Sequence, residues 1–396
     1  YGEALPFGRR AANAVIALAT YLRRTFWPAD LAIFYPYPRA APPWWHWLGS
    51  LALLATISLL TARAARRRPH LAVGWLWFQG ALIPMIGLVQ VGSQAMADRY
   101  TYLPLIGLFF AVAWTLARAA RHRGAAVPLA AGTALAVLAF LATRQVGFWR
   151  DDFTVFGRAV AVTRDNWLAQ DSLGTAALAA GRYAEAAERY RAALAIRPDH
   201  RGARGNLASA LLQGGELEAA IDAYRQILRV DDSRAGVHYN LGLALAAAGR
   251  AGEAAAAYRA ALAREPNHLK ALNNLGNVLD ASGRSAEAIA LYRRAVAVAP
   301  GYTEARFNLG IALGRAGDVA GAASQFREVL RDNPRDAPAL AALGDALKLL
   351  GRPRDAADAY RAALALDPSL NGARSALALI DGAPTADTRG TVESVR

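Results

Sequence analysis

Four asparagines recur every 34 residues: Asn206, Asn240, Asn274 and Asn308. A carboxamide offers both a donor and an acceptor, so a row of them at one helical register can pair with the main chain of an extended peptide. Bridging between neighbouring helices is the structural alternative for the same amides. A second polar group is Asp98-Arg99-Tyr100, at the start of a long apolar run. An arginine at headgroup level can hold the phosphate of a lipid-linked donor, or act as an interfacial anchor with a local salt bridge. Other chemistry is thin. The six histidines (His46, His70, His122, His200, His238, His268) lack ligand spacing, so no metal site is expected. There is no glycine-rich phosphate loop and no G-x-S-x-G. Asp151 and Asp152 read as a helix start. No catalytic residue is assigned and no cofactor is expected. The absence of cysteine from all 396 residues excludes disulfides, thiol catalysis and cysteine-based zinc.

The elements behind the asparagines are set by an internal period. Pro198, Pro266, Pro300, Pro334 and Pro368 share one frame, with Asp232 in the missing place. Gly174, Ala208, Gly242, Gly276, Gly310 and Gly344 follow at one register, each preceded by Leu. Ala186, Ala220, Ala254, Ala288, Ala322 and Ala356 form a third register, and Tyr190, Tyr224, Tyr258, Tyr292, Phe326 and Tyr360 a fourth. This resembles the tetratricopeptide repeat, a pair of antiparallel helices that buries its apolar face only by stacking on its neighbours. The resemblance implies a groove lined by first helices, with the asparagines and Ser172 facing into it, as in the asparagine ladder of the O-GlcNAc transferase repeat domain. The small residue lets the two helices approach. Gly181 and its equivalents sit at the turn, and the aromatic is expected to fill the space against the next repeat. Six repeats are expected over 167–368, a capping helix over 369–381 and a disordered tail over 382–396.

The rest of the chain is of another kind. Its first 150 residues carry fifteen arginines and three acids, whereas the remainder holds 30 basic and 28 acidic residues, so +12 of the net +14 belongs to the first part. That distribution excludes a nucleic-acid binder, which needs its basic stripe on a folded soluble face. Uncharged windows of 23, 29, 18 and 20 residues separate the charges between Arg39 and Arg144. A bilayer core takes about 20 apolar residues of helix. Four spans are therefore expected, at 44–62, 70–91, 100–117 and 126–143, with Trp44, Trp45 and Trp47 as interfacial anchors. Residues 1–43 read as an outward-facing interfacial segment and 144–166 as a connecting helix. Arg63, Arg66, Arg67 and Arg68 fall in one loop, and Arg118, Arg121 and Arg123 in another two crossings away. The positive-inside rule puts both in the cytoplasm and the repeats outside it. The fold class is thus all-α, multi-spanning transmembrane helices followed by a repeat solenoid.

Two stretches carry a further resemblance: Thr25-Phe26-Trp27-Pro28-Ala29-Asp30-Leu31-Ala32-Ile33-Phe34-Tyr35-Pro36, and the run from Gly87 through Asp98-Arg99-Tyr100-Thr101-Tyr102-Leu103 to Pro104. Together with the repeats they resemble the transmembrane and tetratricopeptide-repeat-containing protein O-mannosyltransferases, of type C glycosyltransferase architecture. That resemblance implies transfer of a sugar from a polyprenyl-phosphate donor to a protein hydroxyl outside the cytoplasm. The family's catalytic acids have no counterpart here, and since the first residue is Tyr1, the chain is expected to be a C-terminal fragment. The expected partners are a protein or peptide in the repeat groove, membrane lipid and a polyprenyl-phosphate sugar, with no nucleic acid. The expected location is a bacterial inner membrane with periplasmic repeats. A non-enzymatic membrane-anchored scaffold for an envelope complex is the alternative, and an array in the opposite topology a third reading.

Overall fold

The structure, a computed structural model, describes residues 6–28, 30–38, 40–86 and 94–382. The expected disordered tail lies outside the described residues from 383 onward, as does the stretch 87–93 of the second motif. Nineteen α-helices, two 3-10 turns and one two-stranded ladder make up the described chain. They fall into two compact units, residues 1–214 and 215–396.

The first unit opens with α1 (Phe7–Phe26), whose Ala14, Ala17 and Tyr21 are buried. Strand β1 (Tyr35–Pro36) follows, then α2 (Trp44–Ala64) and α3 (Pro69–Leu82). Strand β2 (Gln94–Met96) pairs antiparallel with β1, and α4 (Tyr102–Arg123) and α5 (Ala126–Gly147) complete the apolar half. Helices α2, α4 and α5 are long and apolar enough to cross a membrane. The second expected span differs. Helix α3 has 14 residues, about 21 Å of rise, short of the ~30 Å hydrocarbon core. Pro84 lacks the N–H that would continue the ladder, and the chain tightens into a 3-10 turn at Ile83–Met85. The direction of travel is nevertheless reversed. His70 meets Thr115 and Trp77 meets the Leu103 carbonyl, so α3 runs antiparallel beside α4. Gly74 and Gly107 allow this. A Cβ built on Gly107 would lie 2.7 Å from the Gly74 carbonyl oxygen, so only small residues let the backbones touch.

Helix α6 (Asp152–Val162) starts at a capping box between Asp151 and Thr154. Then come α7 (Trp167–Ala179), α8 (Tyr183–Ile196) and α9 (Arg201–Gln213). Asn166 caps α7 and also donates from Nδ2 to the Phe34 carbonyl at 3.2 Å, tying the start of the repeats to the β1 segment. Arg158 reaches Asp30 nearby.

The second unit contains α10 (Leu217–Val230), α11 (Ala235–Ala247), α12 (Ala251–Arg264), α13 (Leu269–Ala281) and α14 (Ser285–Val298). It continues with α15 (Thr303–Arg315), α16 (Val319–Asp332), α17 (Ala337–Leu349), α18 (Pro353–Leu366) and α19 (Asn371–Asp381). Each first helix ends in the same way. Gly249, Gly283, Gly317 and Gly351 adopt positive φ, and the next N–H reaches back to the carbonyl of Leu245, Leu279, Leu313 or Leu347. This is the Schellman closure, and it explains why glycine recurs at the turn. The ring covers the small residue of its own repeat: a Cβ on Gly276 would lie 2.5 Å from Tyr292 Cε1, and Gly242 meets Tyr258 in the same way. Its hydroxyl faces the next repeat, as Tyr258 does towards Asn274. Helix α19 packs against α18, held by the Arg361–Asp381 pair at 2.9 Å.

Candidate functional site

Asp98 stands at the centre of the polar site in the first unit. Its Oδ2 accepts from the Tyr35 hydroxyl at 2.8 Å and from the Ala32 N–H at 3.2 Å, and its Oδ1 lies 3.4 Å from Arg24. Arg24 also lies over the Tyr35 ring, 4.1 Å from its centre. Tyr21 closes the other side, accepting from the Ala97 N–H and donating to the Ala97 carbonyl. Burial pushes the Asp98 carboxyl above its ordinary value, against the downward pull of Tyr35, Arg24 and the Ala32 N–H. The two stretches that carried the wider resemblance therefore meet here, joined by the β1–β2 pairing of Tyr35 with Met96 and by the Tyr35–Asp98 bond. Asp98 is spoken for, with its side chain 23% exposed. The side chain of Arg99 lies outside the described residues. Tyr100 follows on the 3-10 turn Asp98–Thr101.

The asparagine row is partly a network of its own. In the second unit the first helices α11, α13, α15 and α17 stand side by side. Asn308 on α15 donates to Asn273 at 2.9 Å and to Asn277 at 3.1 Å, both on α13. Asn274 donates to the Tyr239 hydroxyl of α11 at 3.3 Å. Asn273 is fully buried and donates to Glu304 at 2.8 Å, while Tyr292 donates to Asn277 at 2.6 Å. Burial pushes the Tyr258 hydroxyl, beside Tyr239 and Asn274, up to about 12. In the first unit Asn206 bonds to Tyr190. So Asn274 and Asn308 bridge adjacent first helices, as the structural alternative requires. Asn240 differs: it is half-buried and makes no side-chain hydrogen bond among the described residues. The Asn308 oxygen likewise accepts nothing among them, leaving an acceptor for an incoming N–H.

Comparison with known families bears on this part of the chain. The tetratricopeptide repeat family model matches residues 172–236, 239–303 and 307–371. These segments are tetratricopeptide repeats. Tetratricopeptide repeats bind peptides or proteins, and the row of first helices is consistent with that use. Among solved structures, one described as "YrrB: a TPR protein with an unusual peptide-binding site" is 27% identical over 48% of this chain and 98% of that one, with a TM-score of 0.43. MamA is 22% identical, covering 44% of this chain and 95% of its own at a TM-score of 0.40. The pilF protein of Pseudomonas aeruginosa is 21% identical over 53% of this chain and 95% of its own, TM-score 0.46. No curated protein matches this chain.

Several residues of both sites escaped the reading of the sequence. In the tetratricopeptide repeats these are Asn273, Asn277 and Glu304. The doubled Asn273-Asn274 with Asn277 one turn on was the available signal, since all three fall on one helix within reach of its neighbours. In the first unit they are Tyr21, Arg24, Tyr35 and Asn166. Arg24 and Tyr35 lay in view as the cation and phenol nearest the first motif, but nothing in their spacing pointed to Asp98.

Proposed function

We propose that the chain is a multi-pass protein of a bacterial inner membrane whose repeats, outside the cytoplasm, hold a protein or peptide as the acceptor-recruiting part of a polyprenyl-phosphate-sugar-dependent protein O-glycosyltransferase, mannosyltransferase-like in kind. The observation that carries this reading is the meeting of the two motifs at Tyr35–Asp98, in the same unit as a helix, α5, that leaves Leu129, Leu135 and Phe140 more than 60% exposed. Apolar surface of that extent needs a lipid or protein cover. A lipid-linked phosphate at Asp98-Arg99-Tyr100 belongs to the same proposal. With the Asp98 carboxylate engaged by Tyr35 and Arg24, the attraction for phosphate falls to Arg99, with Tyr100 beside it. In the second unit the bound segment would lie along the first helices, paired with Asn240 and the Asn308 oxygen, with Asn274 in the same row; Asn206, at the same register of its own repeat, would pair in the same way.

The scaffold alternative also has an observation in its favour. Asp30 and Asp98, the two acids among the described residues of the apolar half, are each held by an arginine, Arg158 and Arg24. The deciding experiment supplies membranes carrying the full-length gene product with a labelled polyprenyl-phosphate sugar and envelope proteins. Label passing to protein, and lost when the repeats are removed, supports the transferase. No transfer from any common donor, with a stable partner co-purifying on the repeats, makes the protein a scaffold.

A further inference from the structure

At the end of the α3–α4 pair away from Asp98, the loop before α3 and the last turns of α4 bring three arginines to one place. Arg67, Arg118 and Arg121 line a cavity of about 660 Å³ together with His70, Val73 and Trp114. None of the three has an acidic partner among the described residues: Asp30 pairs with Arg158, and Asp98 with Arg24. Asp98 precedes α4, whereas Arg118 lies sixteen residues past its start at Tyr102, about 24 Å along the helix. Three uncompensated guanidinium groups around one hollow call for an anion, and guanidinium geometry suits phosphate.

His70 gives an independent sign of a ligand. It is 6% exposed, and its Nδ1 is buried without a partner. The other nitrogen is accounted for. Thr115 Oγ1 donates to the Ala111 carbonyl at 2.7 Å, so at 3.1 Å it accepts from His70 Nε2. In the neutral ring Nδ1 is then an acceptor, suited to a hydroxyl donor on a headgroup. The remaining wall is apolar and open. Val73 and Trp114 are exposed, and the Trp114 ring stands 6.2 Å from that of His70. The cavity thus offers cations, a buried acceptor and an apolar flank at one end of membrane-length helices.

We propose that this cavity seats the headgroup of an anionic phospholipid of the bilayer, with phosphate on Arg67, Arg118 and Arg121, a headgroup hydroxyl on His70, and an acyl chain along Val73 and Trp114. The proposal rests on the reading that α2, α4 and α5 span a bilayer. Basic pockets between membrane helices bind such headgroups through charge and phosphate hydrogen bonds.

The test uses the full chain isolated from membranes and placed in nanodiscs of phosphatidylcholine with a minority of phosphatidylglycerol. Lipids retained on the protein are read by native mass spectrometry. The wild-type chain is expected to retain phosphatidylglycerol in preference to phosphatidylcholine. The R67Q/R118Q/R121Q variant should lose that preference by on the order of a hundredfold, at about tenfold or less per arginine. The wild-type preference is read first, so a variant that misfolds does not remove the test, and Arg118→Gln alone serves as a milder second variant. A membrane-borne protein with no preference, or one unchanged in both variants, overturns the headgroup site alone. Complete displacement of the lipid by inorganic phosphate overturns it in favour of a free-phosphate site. A chain that does not fractionate with membranes at all fails at the spanning reading instead.

Discussion

The Tyr35 hydroxyl donates to Asp98 Oδ2 at 2.8 Å, joining residues 63 positions apart in the chain. The same carboxylate is held by Arg24 and by the Ala32 N–H, so α1, the β1 segment and the turn into α4 depend on one another. Tyr35→Phe removes only the hydroxyl and leaves the ring under Arg24. It is expected to cost about 2 kcal/mol, the usual value for a hydrogen bond to a charged group. Thermal unfolding of the purified protein in detergent measures it. A variant that melts with the wild type would show that the bond contributes nothing to the fold.

The same carboxyl sets a pH dependence. Burial raises the Asp98 pKa above its ordinary value. A carboxyl raised in the folded state holds its proton more tightly there than in the unfolded chain. Its stabilising contribution is complete below the ordinary carboxyl range and is lost as the pH rises through the folded value. The melting temperature should therefore fall as the pH climbs from about 4. Asp98→Asn should flatten that slope. If the slope persists in the variant, another group produces it.

The repeats and the Asp98 site were legible in the sequence to very different degrees, for a physical reason. The repeat writes the same contact again and again: glycine under an aromatic ring, as Gly276 lies under Tyr292, and a glycine turn, as at Gly283. Periodicity exposes such contacts without any knowledge of the fold. Spacing alone does not show that the ring also covers the glycine of its own helix pair, as Tyr292 covers Gly276. The contacts around Asp98 occur once each, over separations of 63 residues to Tyr35 and 74 to Arg24. The Asn166 bond to Phe34 spans 132. A single long-range hydrogen bond leaves no pattern to find. A hydropathy window weighs Pro84 as one more uncharged residue, whereas the α-helix stops beside it, at Leu82.

Gly276 tests the close packing inside a repeat. Its missing Cβ would lie 2.5 Å from Tyr292 Cε1, so Gly276→Val must push the ring or separate α13 from α14. The expected loss is about 1–3 kcal/mol by overpacking. Gly205 in α9 is the control, because a Cβ there meets nothing within 4 Å. Gly205→Ala is expected to stabilise by about 0.5–1 kcal/mol through helix propensity. Denaturant unfolding followed by circular dichroism reads both. Equal effects of the two substitutions would contradict the packing argument.

The asparagines separate bridging from binding. Asn308→Ala removes the donor to Asn273 and Asn277 and should cost about 1 kcal/mol of stability. Asn240, with no side-chain bond among the described residues, should be replaceable by alanine with an unchanged melting temperature. If the row holds a peptide, Asn240→Ala nevertheless weakens capture of the partner. The triple replacement of Asn240, Asn274 and Asn308 should abolish capture with the helical signal retained. Loss of that signal together with capture would make the row a structural element only.

Topology can be read directly because the chain has no cysteine, so any cysteine introduced is the only one. Ala65 follows α2 and His122 lies in the last turn of α4. The antiparallel pairing of α3 with α4 brings the chain back between them, so both positions belong on the side of the arginine loops. Ser369, between α18 and α19, belongs with the repeats. In sealed right-side-out vesicles an impermeant maleimide should label Ser369→Cys at once. It should reach Ala65→Cys and His122→Cys only after the membrane is opened. Immediate labelling of Ala65→Cys with protection of Ser369→Cys would invert the orientation and put the repeats in the cytoplasm. Labelling of Ala65→Cys and His122→Cys on opposite sides would mean that the short α3 segment does not return the chain across the membrane, despite its pairing with α4.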